Sequence, residues 1–182
     1  MLDIFEILGP IMVGPSSSHT AGAVRIGRMA RTLLGERPVR ADIGLYGSFA
    51  ETGRGHGTDR ALVAGLLGMK PDDLRIPNSF AAAGEQGLEF TIHPVELREA
   101  HPNTAVLTVE GASGRKTCVQ AASTGGGRIR VDQQRRSRGR QCVFRGFQAR
   151  RGGRRVSRPG LRRACRRRKP RPGSRGRPLR FR

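Results

Sequence analysis

Two short stretches of this chain hold side chains whose types and spacing can do chemistry. The first is Gly14-Pro15-Ser16-Ser17-Ser18-His19-Thr20. Three consecutive serine hydroxyls, an imidazole and a threonine stand directly before a segment of helical period. Free N–H groups and the positive end of the dipole at a helix N-terminus suit a carboxylate or a phosphate. His19 adds a group that accepts or donates a proton near neutral pH. The second stretch is Gly53-Arg54-Gly55-His56-Gly57-Thr58-Asp59. Glycines at alternate positions let backbone approach a ligand closely, and His56 among them has no apolar neighbour to pack on. This G-x-G-x-G spacing differs from the G-x-G-x-x-G dinucleotide fingerprint. Each stretch also has a plain structural reading: a serine-rich helix cap for the first, a flexible surface loop for the second. That both place a histidine in a small-residue loop ahead of a helix points to one shared site.

The elements that must hold these loops follow from periodicity. Ala23, Ile26, Ala30, Leu33 and Leu34 fall at helical spacing, with Arg25, Arg28 and Arg31 off that stripe. Ser17, Ser18 or Thr20 can cap its start and Gly35 its end. Val39, Ala41, Ile43 and Leu45 alternate with polar or small residues, the pattern of a strand with one buried face. Thr58 or Asp59 can cap a short apolar helix through Leu62, Val63, Leu66 and Leu67, closed by Gly68. Residues 78–87 read as a small-residue loop, in which Asn78 can line a pocket. Leu88, Phe90 and Ile92 alternate as a strand. Residues 104–110, 115–122 and 128–131 are three more, joined by short glycine-rich turns as in an antiparallel meander. Helices first and a meander after give an α+β fold with a mixed or antiparallel sheet. His93 and His101 each flank a proline and read as turn or strand-end residues. Cys118 reads as a small core residue rather than a nucleophile.

Charge divides the chain in two. Its 182 residues carry a formal charge of +21. All 14 acidic side chains lie in residues 1–133, together with 14 basic ones, so that block is neutral. Residues 134–182 hold the other 21 basic side chains and no acid. The net charge therefore describes the tail, and reading the whole chain as a specific nucleic-acid binder would be an averaging error. We take residues 1–133 as the folded domain and residues 134–182 as a low-complexity basic tail, expected to be disordered. The tail has two readings. It is a basic arm that holds phosphate backbones without sequence preference, or it is the product of a shifted reading frame. Arginine codons of GC-rich genes are mostly CGN, and two in succession read one base later give Val, Ala, Asp or Gly. Residues 134–150 shifted in this way yield an alternating acidic and apolar stretch, so we favour the frameshift. No stretch approaches the roughly 20 apolar residues of a membrane span, no secretory signal is evident at the N-terminus, and cytoplasmic placement is expected. Cys118, Cys142 and Cys165 form no close pair, so no metal site is expected on this chain.

The two histidine stretches lie within GPIMVGPSSSHTAGAVRIG (9–27) and LYGSFAETGRGHGTDRALVAGLLG (45–68), continued by NSFAAAGEQGLEF (78–90) and HPNT (101–104). Over residues 1–133 the chain closely resembles the beta subunit, or beta domain, of bacterial iron–sulfur-dependent L-serine dehydratases. The resemblance implies a lyase that converts L-serine to pyruvate and ammonia. It implies a [4Fe–4S] cluster held by cysteines of a separate alpha subunit, and inactivity of this chain alone. It implies a fold like the allosteric substrate-binding domain of 3-phosphoglycerate dehydrogenase. By the same resemblance His19 and His56 are the catalytic residues. Ser16, Ser17, Ser18, Thr20, Gly57, Thr58, Asp59 and Asn78 are the substrate-binding set. An anion pocket with two titratable imidazoles fits α-proton abstraction beside a carboxylate. In the two-chain form the beta subunit usually continues into a small regulatory domain, where this chain has its arginine-rich tail. The alternative from another class is a non-catalytic regulatory module that binds small anions through the serine loop and has no need of His56.

Overall fold

The computed structural model describes residues 11–53, 55–138, 148–149 and 154–156. Most of the basic tail expected at 134–182 therefore lies outside the described residues, as do residues 1–10 and Arg54. The fold is α+β. Pro38–Leu45 (β1), Glu89–Glu96 (β2), Thr104–Gly111 (β3), Arg115–Gly125 (β4) and Arg128–Arg138 (β5) form a five-stranded mixed sheet in the order β5-β4-β3-β1-β2. β1 and β2 are parallel, and the neighbouring pairs of β1, β3, β4 and β5 are antiparallel. β3, β4 and β5 are the meander that the glycine-rich turns foretell. β5 runs five residues past position 133, and two short segments, Gln148–Ala149 (β6) and Arg154–Val156 (β7), pair antiparallel with β2.

The helices are α1 (Ala23–Leu34), α2 (Ser48–Glu51), α3 (Thr58–Leu67) and α4 (Ser79–Gln86). A π-helical turn, Ser17–Gly22, leads into α1, and a 3-10 turn, Ile76–Asn78, leads into α4. α1 and α3 end at Gly35 and Gly68, both left-handed, as the sequence anticipates. The helical stripe Val24, Ile26, Ala30 and Leu34 packs with Leu62, Val63 and Leu66 of α3. The same core takes in Ala41 and Ile43 of β1, Leu107 and Val109 of β3, and Val119 of β4. Successive strand residues point to opposite faces, so the helices cover one face. Val95, Val106 and Cys118 form a smaller cluster on the other, with Tyr46 and Leu97 beside it. Cys118 is indeed a buried core residue.

α1 and α3 cross at two glycines. A Cβ on Gly27 would overlap the Leu62 carbonyl, and one on Gly65 would overlap the Val24 carbonyl. Only hydrogen at both positions permits this approach. Arg31 adds a bond from its guanidinium to the Leu66 carbonyl, 3.0 Å, and Arg25 reaches the Gly127 carbonyl at 2.7 Å. α1 is thereby tied to α3 on one side and to the β4–β5 turn on the other. This fixes the direction in which its N-terminal turn, and so His19, points.

Two expectations need correction. Residues 78–87 are not a loop: Ser79–Gln86 is a helix closed by left-handed Gly87. The run Ala81-Ala82-Ala83 has high helix propensity, and Ala83 and Phe80 supply the apolar contacts with the core. His93 is not a turn or strand-end residue. It sits inside β2, level with Gly44 of β1, and its Nε2 lies 3.1 Å from Asp42 Oδ1. His101 does lie in a turn, where its Nδ1 accepts from the Asn103 N–H at 3.1 Å.

Two outcomes test this packing. Gly65→Val should cost the full chain about 1–3 kcal/mol or more, read as a lower urea midpoint; an unchanged midpoint would show that α1 and α3 do not cross so closely. The Asp42 hydrogen bond raises the His93 pKa above its ordinary 6.5, outweighing the opposing effect of burial. The folded state thus favours imidazolium, and the gain is complete below that ordinary value and lost as pH rises through the raised one. The stability difference between the unaltered chain and Asp42→Asn should therefore shrink as pH rises from 6 to about 9. A difference independent of pH would refute the pairing.

Candidate functional site

Ser16 stands in extended backbone and caps the π-helical turn: its Oγ accepts from the His19 N–H at 3.3 Å, and its carbonyl accepts from the Thr20 N–H at 2.8 Å. The turn buries His19, Thr20, Ala21 and Gly22. π-helical turns recur at functional positions, because the extra residue pushes side chains out of helical register. Gly14 permits the loop to fold over this turn, since a Cβ there would overlap the Thr20 hydroxyl.

His19 is 7% exposed and meets four hydroxyls. Its Nδ1 lies 3.1 Å from Ser18 Oγ and 3.3 Å from Ser16 Oγ. Its Nε2 lies 3.1 Å from Thr52 Oγ1 and 3.2 Å from Ser48 Oγ. Ser48 and Thr52 are one helical turn apart on and just after α2, which Gly47 initiates at φ 55°. The ring of Phe49, on the same turn, meets the His19 ring edge to face at 5.3 Å.

The second loop brings His56 to the same place. Its ring centroid is 5.0 Å from that of His19, at 81°. The His56 N–H donates to the Thr52 carbonyl at 3.1 Å, so α2 carries both histidines. Gly53 sits where a Cβ would overlap the Phe49 carbonyl, and Gly57 takes φ 69° to open α3. The sequence inference that the two loops face one site is met by the geometry.

His56, Thr20 and Gly57 line a cleft of roughly 190 Å³ with Val13, Gly14, Pro15, Gly55, Arg60, Ile76 and Pro77. His19 is not among these lining residues and reaches the cleft only through its ring contact with His56. Thr20 Oγ1 is buried and has no hydrogen-bond partner, and so has Thr58 Oγ1 at the head of α3. A buried hydroxyl without a partner is costly unless something satisfies it. Thr20 lines the cleft, with its Oγ1 covered beneath Gly14. The first N–H groups of the turn, at Ser17 and Ser18, are free by position, and Ser16, Ser17 and Ser18 are not among the residues that line the cleft.

Burial pulls the His19 pKa below its usual value, the neighbouring His56 pulls the same way, and a hydrogen bond to the Ser48 backbone carbonyl opposes them. His19 is therefore a neutral imidazole at pH 7, able to accept a proton.

Not every residue expected at the site is in it. Asp59 faces the Arg60 N–H at 2.8 Å and lines a larger cavity, about 630 Å³, with Leu45, Phe49, Phe80 and Phe90. Asn78 is exposed at the head of α4, beside the cleft residues Ile76 and Pro77 but not among them. Ser17 opens the turn. Sequence reading missed Ser48, Phe49 and Thr52. Their signal is present in the i, i+4 hydroxyls of Gly47-Ser48-Phe49-Ala50-Glu51-Thr52, but nothing in one sequence says that they point at His19. The described residues offer no donor set for an iron–sulfur cluster: Cys118 is fully buried in the sheet, and no group of three or more His, Cys, Asp or Glu side chains converges. Cys142 and Cys165 lie outside the described residues. No helix among them is long and apolar enough to cross a membrane.

In an NMR titration of the full chain, His19 should titrate below 6.5. Removing the second charge in His56→Ala should raise its midpoint. A midpoint unmoved by that change would show that the rings do not sense each other.

The chain is similar in sequence to known proteins. Residues 1–86 match the sequence model of the serine dehydratase beta-chain family. The chain is 45% identical over 130 residues to a probable L-serine dehydratase beta chain of Bacillus subtilis (strain 168), covering 71% of this chain and 59% of that protein. It is 44% identical over 128 residues to the L-serine dehydratase beta chain of Peptoniphilus asaccharolyticus, covering 70% and 58%. An L-serine dehydratase of Mycobacterium tuberculosis (strain CDC 1551 / Oshkosh) is 30% identical over 155 residues, covering 72% of this chain and 33% of that protein. The chain thus spans under two thirds of the beta chains that it matches.

Proposed function

We propose, from the premise that the chain belongs to the serine dehydratase beta-chain family, that it binds L-serine and moves the protons of its dehydration to pyruvate and ammonia. The observation that carries this reading is the edge-to-face contact of His19 with His56, 5.0 Å apart, where His56 and Thr20 line a cleft.

In this reading the substrate carboxylate takes the free N–H groups of Ser17 and Ser18 and the Thr20 hydroxyl. Charge-assisted bonds of that kind are stronger than neutral ones. The neutral His19 accepts a proton near neutral pH, and the exposed His56 exchanges protons between cleft and solvent. Elimination removes a proton from Cα and hydroxide from Cβ, leaving aminoacrylate, which tautomerises to the imine and hydrolyses to pyruvate and ammonia. A pair of imidazoles a few ångströms apart serves both proton movements.

In this proposal an iron–sulfur cluster belongs to a separate alpha chain, since among the described residues no three His, Cys, Asp or Glu side chains converge to hold one. That group would supply Lewis acidity toward the substrate hydroxyl. The beta chain would be inactive alone, act in the cytoplasm, and share its fold with the substrate-binding domain of 3-phosphoglycerate dehydrogenase. No specific nucleic-acid partner is proposed.

The test is co-expression with a matching alpha chain under anaerobic conditions. Pyruvate release from L-serine is expected. His19→Ala and His56→Ala should each reduce kcat by about 10²–10⁴-fold, the usual share of one general acid or base. Full activity in both variants would overturn the assignment. Binding of L-serine to the beta chain alone, with no turnover in any assembly and no effect of His56→Ala, would establish the regulatory-module reading instead.

A further inference from the structure

We infer that Thr52 is a positioning residue that holds His19 as the Nε2–H tautomer and leaves Nδ1, beneath the Ser16 and Ser18 hydroxyls, as the basic atom. The functional part of this inference rests on the assignment of His19 to proton transfer. The structural part does not.

The argument is a count of protons. A hydroxyl has one proton to donate and lone pairs to accept with. Thr52 Oγ1 donates its proton to the Ser48 carbonyl, one turn earlier, at 2.8 Å. Toward His19 Nε2, 3.1 Å away, it therefore presents a lone pair. That contact is a hydrogen bond only when Nε2 carries hydrogen. With the proton on Nδ1 instead, two lone pairs would face each other at 3.1 Å. Ser48 Oγ, 3.2 Å from Nε2 and 3.4 Å from Thr52 Oγ1, can share the same N–H as an acceptor.

The opposite edge closes consistently. With Nδ1 bare, Ser18 donates to it at 3.1 Å. Ser16 Oγ, which accepts from the His19 backbone N–H, gives its own proton to Ser18 across 3.2 Å. Ser16, Ser18 and Thr52 then each have one proton and one destination, and Ser48 can give its own proton to Thr52 Oγ1 across 3.4 Å. The chain of bonds runs from Ser16 through Ser18 and the imidazole to Thr52 and the Ser48 carbonyl. The choice of tautomer matters because burial and His56 keep the ring neutral, and a neutral imidazole has a single basic nitrogen.

The consequence is a role for Ser18 beyond cradling an anion. A proton taken up at Ser18 Oγ is matched by the one that Ser18 passes to Nδ1. A new O–H bond forms on Ser18 Oγ, its original O–H bond breaks, that proton forms an N–H bond at Nδ1, and an imidazolium results with Ser18 still a neutral hydroxyl. His19 thus accepts substrate protons through a serine rather than by direct contact.

The experiment is ¹⁵N NMR of the full chain labelled at histidine, where a bare ring nitrogen and a protonated one resonate far apart. The expected wild-type signature is Nε2–H with bare Nδ1 at His19. Thr52→Val, close in shape but without the acceptor, should raise the Nδ1–H population at least about threefold, and Thr52→Ser should restore the original balance. In the two-chain enzyme Thr52→Val should lower kcat about 10-fold or more with KM for L-serine changed less than about twofold, again rescued by Thr52→Ser. An Nδ1–H signature in the unaltered chain, or a tautomer indifferent to Thr52→Val, overturns the inference. A tautomer that shifts while turnover does not would uphold the positioning of the ring and overturn the part of His19 in the reaction.

Discussion

The arrangement depends on burying one neutral imidazole between two loops that are distant in sequence. A ring with two polar atoms cannot be taken out of water unless both are satisfied. His19 meets this condition only when the serine turn before α1 lies against α2: the turn offers Ser16 and Ser18 to Nδ1, and α2 offers Ser48 and Thr52 to Nε2. Separating the two loops would strand the ring. Closing them places His56 against it, because the backbone that carries Thr52 also receives the His56 N–H.

The rest of the fold serves that closure. α1 must aim its first turn at α2, and the Gly27–Gly65 crossing together with the Arg25 and Arg31 bonds to backbone fixes its direction. β1 must end where α2 begins, and Gly47 makes the corner with a backbone conformation that other residues adopt only under strain. The parallel pairing of β1 with β2 leaves the helices on one face of the sheet. The meander of β3, β4 and β5 contributes no side chain to the lining of the cleft, while Ser123 of β4 packs against Gly22 of the serine turn. Thr20 and Thr58 remain buried without partners at the heads of the two helices.

Much of this is legible in the sequence because it is local. The stripe from Ala23 to Leu34, the alternation from Val39 to Leu45, the closing glycines at 35 and 68 and the glycine-rich hairpin turns depend on near neighbours, and the structure follows them. The convergence of His19 and His56 is legible as well, since both motifs share one design. What the sequence hides is non-local. α4 reads as a loop because its small residues show no strong amphipathic stripe, and only packing of Phe80 and Ala83 on the core makes it a helix. His93 looks like a strand end beside Pro94, yet that proline lies opposite Leu45 within the parallel pair, and the strand continues. Ser48 and Thr52 are ordinary polar residues until α2 folds under His19. Asp59 belongs to the second motif by sequence but turns toward the larger cavity, because the first turn of α3 rotates it away from His56.

The central claim of the proposed function is that two imidazoles act as one unit on one substrate, and a double-mutant cycle in the chain co-expressed with a matching alpha chain tests it most directly. Residues that act as a unit are strongly non-additive. The double variant lacking both rings should be about as slow as the slower single variant, within roughly threefold in kcat/KM. Losses that simply multiply would contradict the account, because they would mean that the two histidines contribute independently and that their contact is incidental.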